Sequence, residues 1–429
     1  MTQPVSPKVR RMQRLSLILL LVTGAINYLD RQTLAIGNPE IRAELGLTVE
    51  QMGYLLAAFS LSYAFSQLPT GGLVDKIGPR KLLGIGLTIW SVAQGFAGFV
   101  SGYTQFFYAR IVLGIGEAPQ FPTGARVVSN WFNVRDRGLP TGIFNSASTL
   151  GPAIAPPLLT WLMLTWGWRA MFITMGVLGV IAAIVWYASY CDPGETDITA
   201  ADHAAISEGE PPRTAGVSFA QWLRLFRFRT TWGMVLGFFG TVYLIWLYLT
   251  WLPGYLEMER HMSIMKTGIY SSVPYVFGFI GSIVGGAISD RLAARGHTPM
   301  MSRKIPIICG LFGMAIFTIP AAFTDSWQMA LTFICLAVFC GNVSSACSWA
   351  LVTAAAPPTY VASIGSIQNF GGYLGGTLAP ALTGIIVQRT GSFIPALMLG
   401  AGIAATSALI YTFVVRRPIS GTDLDAITG

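Results

Sequence analysis

The chain has 429 residues, 53% of them apolar and 11% charged, with a mean hydropathy of +0.58. A water-soluble domain carries roughly 25% charged residues, so this composition leaves too little polar surface for solution and specifies a polytopic membrane protein. The formal charge of +8 sits in loops and tails, where it sets orientation in a membrane. No nucleic-acid-binding signature accompanies it.

The N-terminal stretch MTQPVSPKVRRMQR is basic and leads into a long apolar run with no small-residue cleavage site, which reads as a retained first span over 15–37. A helix needs about 20 mostly apolar residues to cross a bilayer. Further runs of that kind fall at 53–73, 82–101, 105–127, 138–160, 168–190, 230–252, 267–289, 305–323, 327–350, 360–388 and 392–415. The runs do not alternate as barrel strands would. The expected fold is therefore an all-α polytopic membrane protein with twelve transmembrane helices.

Residues 191–229 form one long polar connection and divide the chain into a six-helix bundle over 1–190 and another over 230–429. Its last part, FAQWLRLFRFR, places Phe219, Trp222, Leu223 and Phe226 on one helical face, with Arg224, Arg227 and Arg229 opposite. That pattern predicts a short helix lying in the membrane interface.

The halves repeat. GGLVDKIGPRK follows span two at 71–81, and GGAISDRLAARG follows span eight at 285–296, so Asp75 and Asp290 stand 215 positions apart. A repeat after an even number of spans keeps its orientation, which predicts two parallel, pseudo-symmetric halves. With the N-tail inside, inner loops and tails hold 19 Lys and Arg and outer loops hold four, placing both termini and the central connection in the cytoplasm.

Cys191, Cys309, Cys335, Cys340 and Cys347 include no Cys-x-x-Cys pair, and His203, His261 and His297 lie in separate polar segments. Neither a disulfide framework nor a metal site is expected. No cofactor is expected either: a nucleotide cradle and a zinc-protease signature are both missing from the sequence, which argues against a pump or an enzyme.

Four charges fall deep in apolar runs: Asp30 and Arg31 on span one, Arg110 and Glu117 on span four. Arg126 and Arg169 lie near span ends, within snorkelling reach of the surface. A charge at the bilayer centre costs at least ~2.5–3.5 kcal/mol. A purely structural ion-pair lock is disfavoured, because desolvation offsets the attraction within buried pairs. Guanidinium forks bind carboxylates in a planar, bidentate way, so Arg31 and Arg110 are candidate anchors for an anion. A buried carboxyl changes its proton affinity when a neighbouring guanidinium leaves it. Asp30 or Glu117 is then expected to exchange a proton as an Arg moves to the substrate. Pro119, two residues beyond Glu117, predicts a kink beside that carboxylate.

The second half offers neutral groups instead: Asn342, Ser345 and Trp349 on span ten, Asn369 and Tyr373 on span eleven, and Tyr275 on span eight. They suit hydrogen bonding or stacking with the uncharged part of a substrate, or adhesion between helices.

Across nearly its whole length the sequence resembles the major facilitator superfamily, through the loop motif at 71–81 and its weaker copy at 285–296. The resemblance implies that Asp75, Arg80 and Asp290 form a cytoplasmic gate. More narrowly, INYLDRQTLA, YARIVLGIGEAPQFPTGARVVSNWF and FNSASTLG resemble the anion:cation symporter branch, which includes proton-coupled permeases for galactonate, hexuronates, glucarate and phthalate. That similarity implies that Arg31 holds the substrate carboxylate, that Asp30 and Glu117 couple protons with Arg110 as partner, and that Tyr28, Tyr63, Asn145, Trp349 and Asn369 line the cavity. Ser148 stands where several sugar-acid permeases carry Gln, which leaves a roomier, less polyol-like pocket. The expected function is proton-coupled symport of an organic carboxylate such as a sugar acid, driven by the proton gradient, in a bacterial inner membrane and as a monomer. Transport of an aromatic carboxylate such as phthalate, or anion exchange, is the alternative. The segment TGIFNSASTLGPAIAPP partly resembles an antiporter pattern through Gly151 and Pro152, with Ala147 where a Gly is expected.

Overall fold

A computed structural model describes residues 5–133, 136–207, 219–357 and 360–419, apart from the side chains of residues 71, 75, 219, 220 and 362. All twelve expected spans are helical. The first half contains α1 (Pro7–Ile36), α2 (Asn38–Leu45), α3 (Val49–Ile77), α4 (Pro79–Ala97), α5 (Tyr103–Glu117), α6 (Gln120–Trp131), α7 (Gly138–Asn145) and α8 (Ala147–Ser189). Short helices α9 (Ala200–Ile206) and α10 (Phe219–Arg224) follow. The second half contains α11 (Arg229–Met258), α12 (Ile264–Tyr270), α13 (Val273–Ala294), α14 (Pro299–Phe323), α15 (Trp327–Ala355), α16 (Val361–Thr390) and α17 (Ile394–Phe413).

The differences from one helix per span have local causes. Span four breaks between α5 and α6 at Ala118 and Pro119, where proline supplies no N–H. Spans five and six run together in α8 across Gly167, whose φ of 82° is open to glycine at little cost. Gly78 does the same work in the 71–81 motif: with φ at 86° it turns the chain from α3 into α4, and Pro79 starts the new helix. Helix α10 is only six residues long, and Leu225, just beyond it and outside the expected apolar face, is buried. Trp222 meets Phe226 edge-on at 5.0 Å.

The chain resolves into two compact units, one of Met1–Leu45 with Leu61–Thr214 and one of Gly46–Ser60 with Ala215–Gly429. The first stretch of α3 thus groups with the second unit, where Phe59 stacks on Trp246 at 6.1 Å and Ser60 Oγ donates to the Gly376 carbonyl at 3.2 Å.

In the first unit, α8 packs against both α1 and α4, and α4 packs against α5. The start of the central connection is tied to this unit. The Ser6 N–H donates to Asp202 Oδ1 at 2.8 Å, and Asn130 donates to Asp192 Oδ1 at 3.2 Å. In the second unit, α11 packs on α16 and α17, and α15 on α13 and α14.

Candidate functional site

The four deep charges converge inside the first unit. Arg31 on α1 donates from Nε to Glu117 Oε2 on α5 at 2.8 Å, with the two side chains 3% and 0% exposed. Asp30 is fully buried, within electrostatic reach of Glu117, Arg110 and Arg31, and Trp90 of α4 faces its carboxyl. Arg110 is buried on the same face of α5 as Glu117, seven residues earlier. Two carboxyls and two guanidiniums thus lie together in the buried interior of the first unit, on α1 and α5, with Trp90 of α4 beside them.

Arg31 meets two aromatic faces: its Cζ is 4.7 Å from the Tyr28 ring centroid and 4.7 Å from that of Tyr63. Tyr63 on α3 is fixed by Gln67, whose Nε2 donates to the Tyr63 hydroxyl at 2.8 Å. Tyr28 meets Phe121 edge-on at 6.1 Å, and Gly151 of α8 packs so closely on Tyr28 that a side chain there would collide. Behind the charges, Gln94 Nε2 donates to Thr33 Oγ1 at 3.0 Å.

The remaining expected residues fall as follows. Asn145 ends α7 and Ser148 is the second residue of α8, where Ser148 Oγ donates to the Asn145 carbonyl at 2.7 Å. Ser148 lies one turn from Gly151. In the second unit, Tyr275 lies half-buried on α13, Ser345 half-buried on α15 and Asn369 half-buried on α16. Trp349 is exposed on α15 and meets Phe238 edge-on at 5.9 Å.

Of the gate residues, the side chain of Asp75 lies outside the described residues, and Asp290 is exposed on α13. Arg80 donates from Nη1 to Glu195 Oε2 at 2.9 Å and from Nη2 to the Tyr187 carbonyl at 2.8 Å. Its partners therefore include the central connection, which the sequence motif does not reveal. Arg169 is similarly engaged, donating to Glu44 Oε1 at 2.9 Å and to the Val100 carbonyl at 2.8 Å, while Trp168 Nε1 donates to Glu44 Oε2 at 2.6 Å.

Sequence reasoning missed Trp90, Gln67 and Asn27. Trp90 reads as an ordinary core residue in an apolar run. Gln67 and Asn27 gain meaning from one signal only, a helical spacing of four from Tyr63 and Arg31 respectively.

Residues 20–302 match the sequence profile described as the Major Facilitator Superfamily. The chain belongs to the major facilitator superfamily. It is 44% identical over 416 residues to a probable L-galactonate transporter of Escherichia coli strain K12, covering 97% of this chain and 92% of that one. It is 34% identical over 421 residues to a D-galactonate transporter of Escherichia coli O6:H1, covering 95% and 96%. In fold it is similar to the crystal structure of a bacterial homolog of the human lysosomal transporter Spinster, with a TM-score of 0.75 at 17% identity over 94% of this chain and 95% of that one.

The twelve-helix superfamily fold and the similarity to sugar-acid permeases, both expected from the loop motif and the span-one and span-four segments, are borne out. This superfamily member is an integral, multi-pass membrane transporter and not an enzyme.

Proposed function

We propose that the chain carries a sugar-acid anion together with a proton across a bacterial inner membrane by alternating access, with both termini in the cytoplasm. The Arg31–Glu117 pair carries this reading: one buried guanidinium, over the rings of Tyr28 and Tyr63, is matched to one buried carboxylate. A substrate carboxylate has the same shape and charge as the Glu117 group and competes for the same guanidinium edge. Proton uptake by Glu117 removes its claim on Arg31, and the incoming carboxylate takes its place. Loss of the proton restores the internal pair and expels the anion. Asp30 and Arg110, buried beside the pair, balance charge through both steps. Neither step calls for a cofactor; the proton gradient supplies the work.

The relatives named for galactonate support a polyhydroxylated acid as cargo. Ser148, Asn145, Tyr275, Ser345, Trp349 and Asn369 are assigned to its hydroxyl-bearing portion. Asp75, Arg80 and Asp290 are assigned to the cytoplasmic gate, and the working form to a monomer.

Purified protein in proteoliposomes, offered L-galactonate, D-glucarate, D-glucuronate and phthalate in turn under an imposed pH gradient, tests the proposal. Uphill uptake of a sugar acid that collapses with the gradient is expected. Gradient-driven uptake of phthalate alone would reassign the cargo. Uptake indifferent to the gradient but dependent on internal anion would establish exchange.

A further inference from the structure

Beyond Glu117, a polar seam runs between α1 and α6 toward the end of the bundle at which α1 begins. The two helices pass antiparallel. Asn27 lies beside the Glu117 carboxyl. One turn on, Gln120 Nε2 donates to Thr23 Oγ1 at 3.0 Å and to the Leu20 carbonyl at 3.4 Å. At the far end, Gln13 Nε2 donates to the Trp131 carbonyl at 2.7 Å. On α1, the residues Gln13, Ser16, Leu20, Thr23, Asn27 and Asp30 recur at alternating spacings of three and four, one helical face.

A packed seam with that spacing is ordinarily apolar. Here Ser16, Thr23, Asn27, Glu117, Gln120 and Thr123 are each no more than 1% exposed. Adhesion between helices would use such groups up on one another. Instead, Gln120 Oε1 and Thr123 Oγ1 have no hydrogen bond among the described residues, and Asn27 has only the Glu117 carboxyl beside it. Buried polar atoms without protein partners are satisfied by water.

We propose that this seam is the inner proton exit, a file of hydroxyls and bound waters between α1 and α6 that carries the proton from Glu117 to the cytoplasmic end of the bundle, apart from the Arg31 substrate site. The proposal rests on the reading of Glu117 as the proton-coupling group. At each step an oxygen accepts a proton on one side and releases another on the opposite side, so no group is consumed. The hydroxyls of Thr123, Thr23 and Ser16 relay, Thr23 and Ser16 turning from the Leu20 and Gln13 carbonyls to which they donate at 3.3 Å and 3.0 Å; the amides of Asn27 and Gln120 hold the waters in line. Thr23 and Ser16 are seven residues apart, about 10 Å along the axis, a gap that about three waters at hydrogen-bond spacing bridge. Leu20 of α1 and Val127 and Val128 of α6 are buried apolar residues of the two helices.

The test uses proteoliposomes loaded with a pH-sensitive dye and given external L-galactonate. Wild type, the Gln120→Leu/Thr123→Val double variant, Thr23→Val and Thr123→Ser are compared for internal acidification and for counterflow of labelled against unlabelled L-galactonate. In the double variant, acidification is expected to slow at least about tenfold, the scale of losing a positioned proton-transfer group, while counterflow stays near wild type. Thr23→Val, a smaller change, is expected to slow acidification in the same selective way, and Thr123→Ser, which keeps the hydroxyl, to behave as wild type. Acidification at the wild-type rate in both the double variant and Thr23→Val overturns the seam and leaves Glu117 coupling in place. Equal loss of acidification and counterflow in both variants assigns the seam a packing role and overturns it too. Absence of acidification by the wild type overturns the coupling reading and the seam with it.

Discussion

Arg31 and Glu117 meet at 2.8 Å inside the first unit, one guanidinium nitrogen on one carboxylate oxygen, with solvent almost wholly excluded from both. Tyr28 and Tyr63 face the same guanidinium, each at 4.7 Å. A pair this buried is expensive to maintain as structure alone, and the proposed exchange of Glu117 for a substrate carboxylate gives it a use.

Replacing Arg31 by Lys keeps the charge and removes the planar fork. Charge-assisted hydrogen bonds are worth ~1.5–3 kcal/mol, so substrate affinity should fall about ten- to a hundredfold. Isothermal titration with L-galactonate measures it. Affinity equal to wild type would move the anchor to Arg110.

Tyr63→Leu removes one of the two faces holding the guanidinium. A cation–π contact contributes ~0.5–2 kcal/mol, so KM for uptake should rise about two- to thirtyfold. The expected maximal counterflow rate stays close to wild type. Gln67→Leu, which frees the Tyr63 hydroxyl from its donor, should reproduce part of the KM change. An unchanged KM in both variants would remove the tyrosine from the site.

Gly151 packs on Tyr28, where α8 crosses α1. Gly151→Leu should lower thermal stability by ~1–3 kcal/mol through overpacking and displace Tyr28 from Arg31, lowering substrate affinity as well. Melting of the detergent-solubilised variant with and without substrate separates the two effects. This close approach also explains Gly151 without recourse to an exchange mechanism.

The Glu44 carboxyl lies outside the spans and is held below the usual carboxylate range, first by the Trp168 N–H and then by Arg169. Its folded value is depressed, so the stabilisation is fully present above the unfolded value of about 4.3 and is lost as pH falls through the lower folded value. Because the pair is largely exposed, it contributes no more than about 1 kcal/mol. Glu44→Gln should lower stability at neutral pH and flatten the loss of stability between neutral and acidic pH. A melting profile parallel to wild type across that range would contradict the assignment.

The twelve spans and the charged cluster were legible in the sequence because each departs sharply from its surroundings. Four charges in apolar runs have few acceptable environments, and a half-length repeat implies two similar halves. Pro119 announced the α5–α6 break by its chemistry. The partners of those charges were hidden. Trp90 is indistinguishable from core until α4 is laid against α1, and the bond from Gln67 to Tyr63 depends on side-chain directions on α3. The tie from Arg80 to Glu195 and the tie from Ser6 to Asp202 join positions more than a hundred residues apart, with no local pattern to mark them.

The central claim, that Glu117 trades its hold on Arg31 for a proton while the substrate takes its place, is tested most directly by Glu117→Gln in proteoliposomes. Glutamine keeps the shape and loses the titration. Counterflow of labelled for unlabelled L-galactonate should continue, while uphill accumulation under a pH gradient should disappear. Accumulation by Glu117→Gln to the wild-type level would contradict the account.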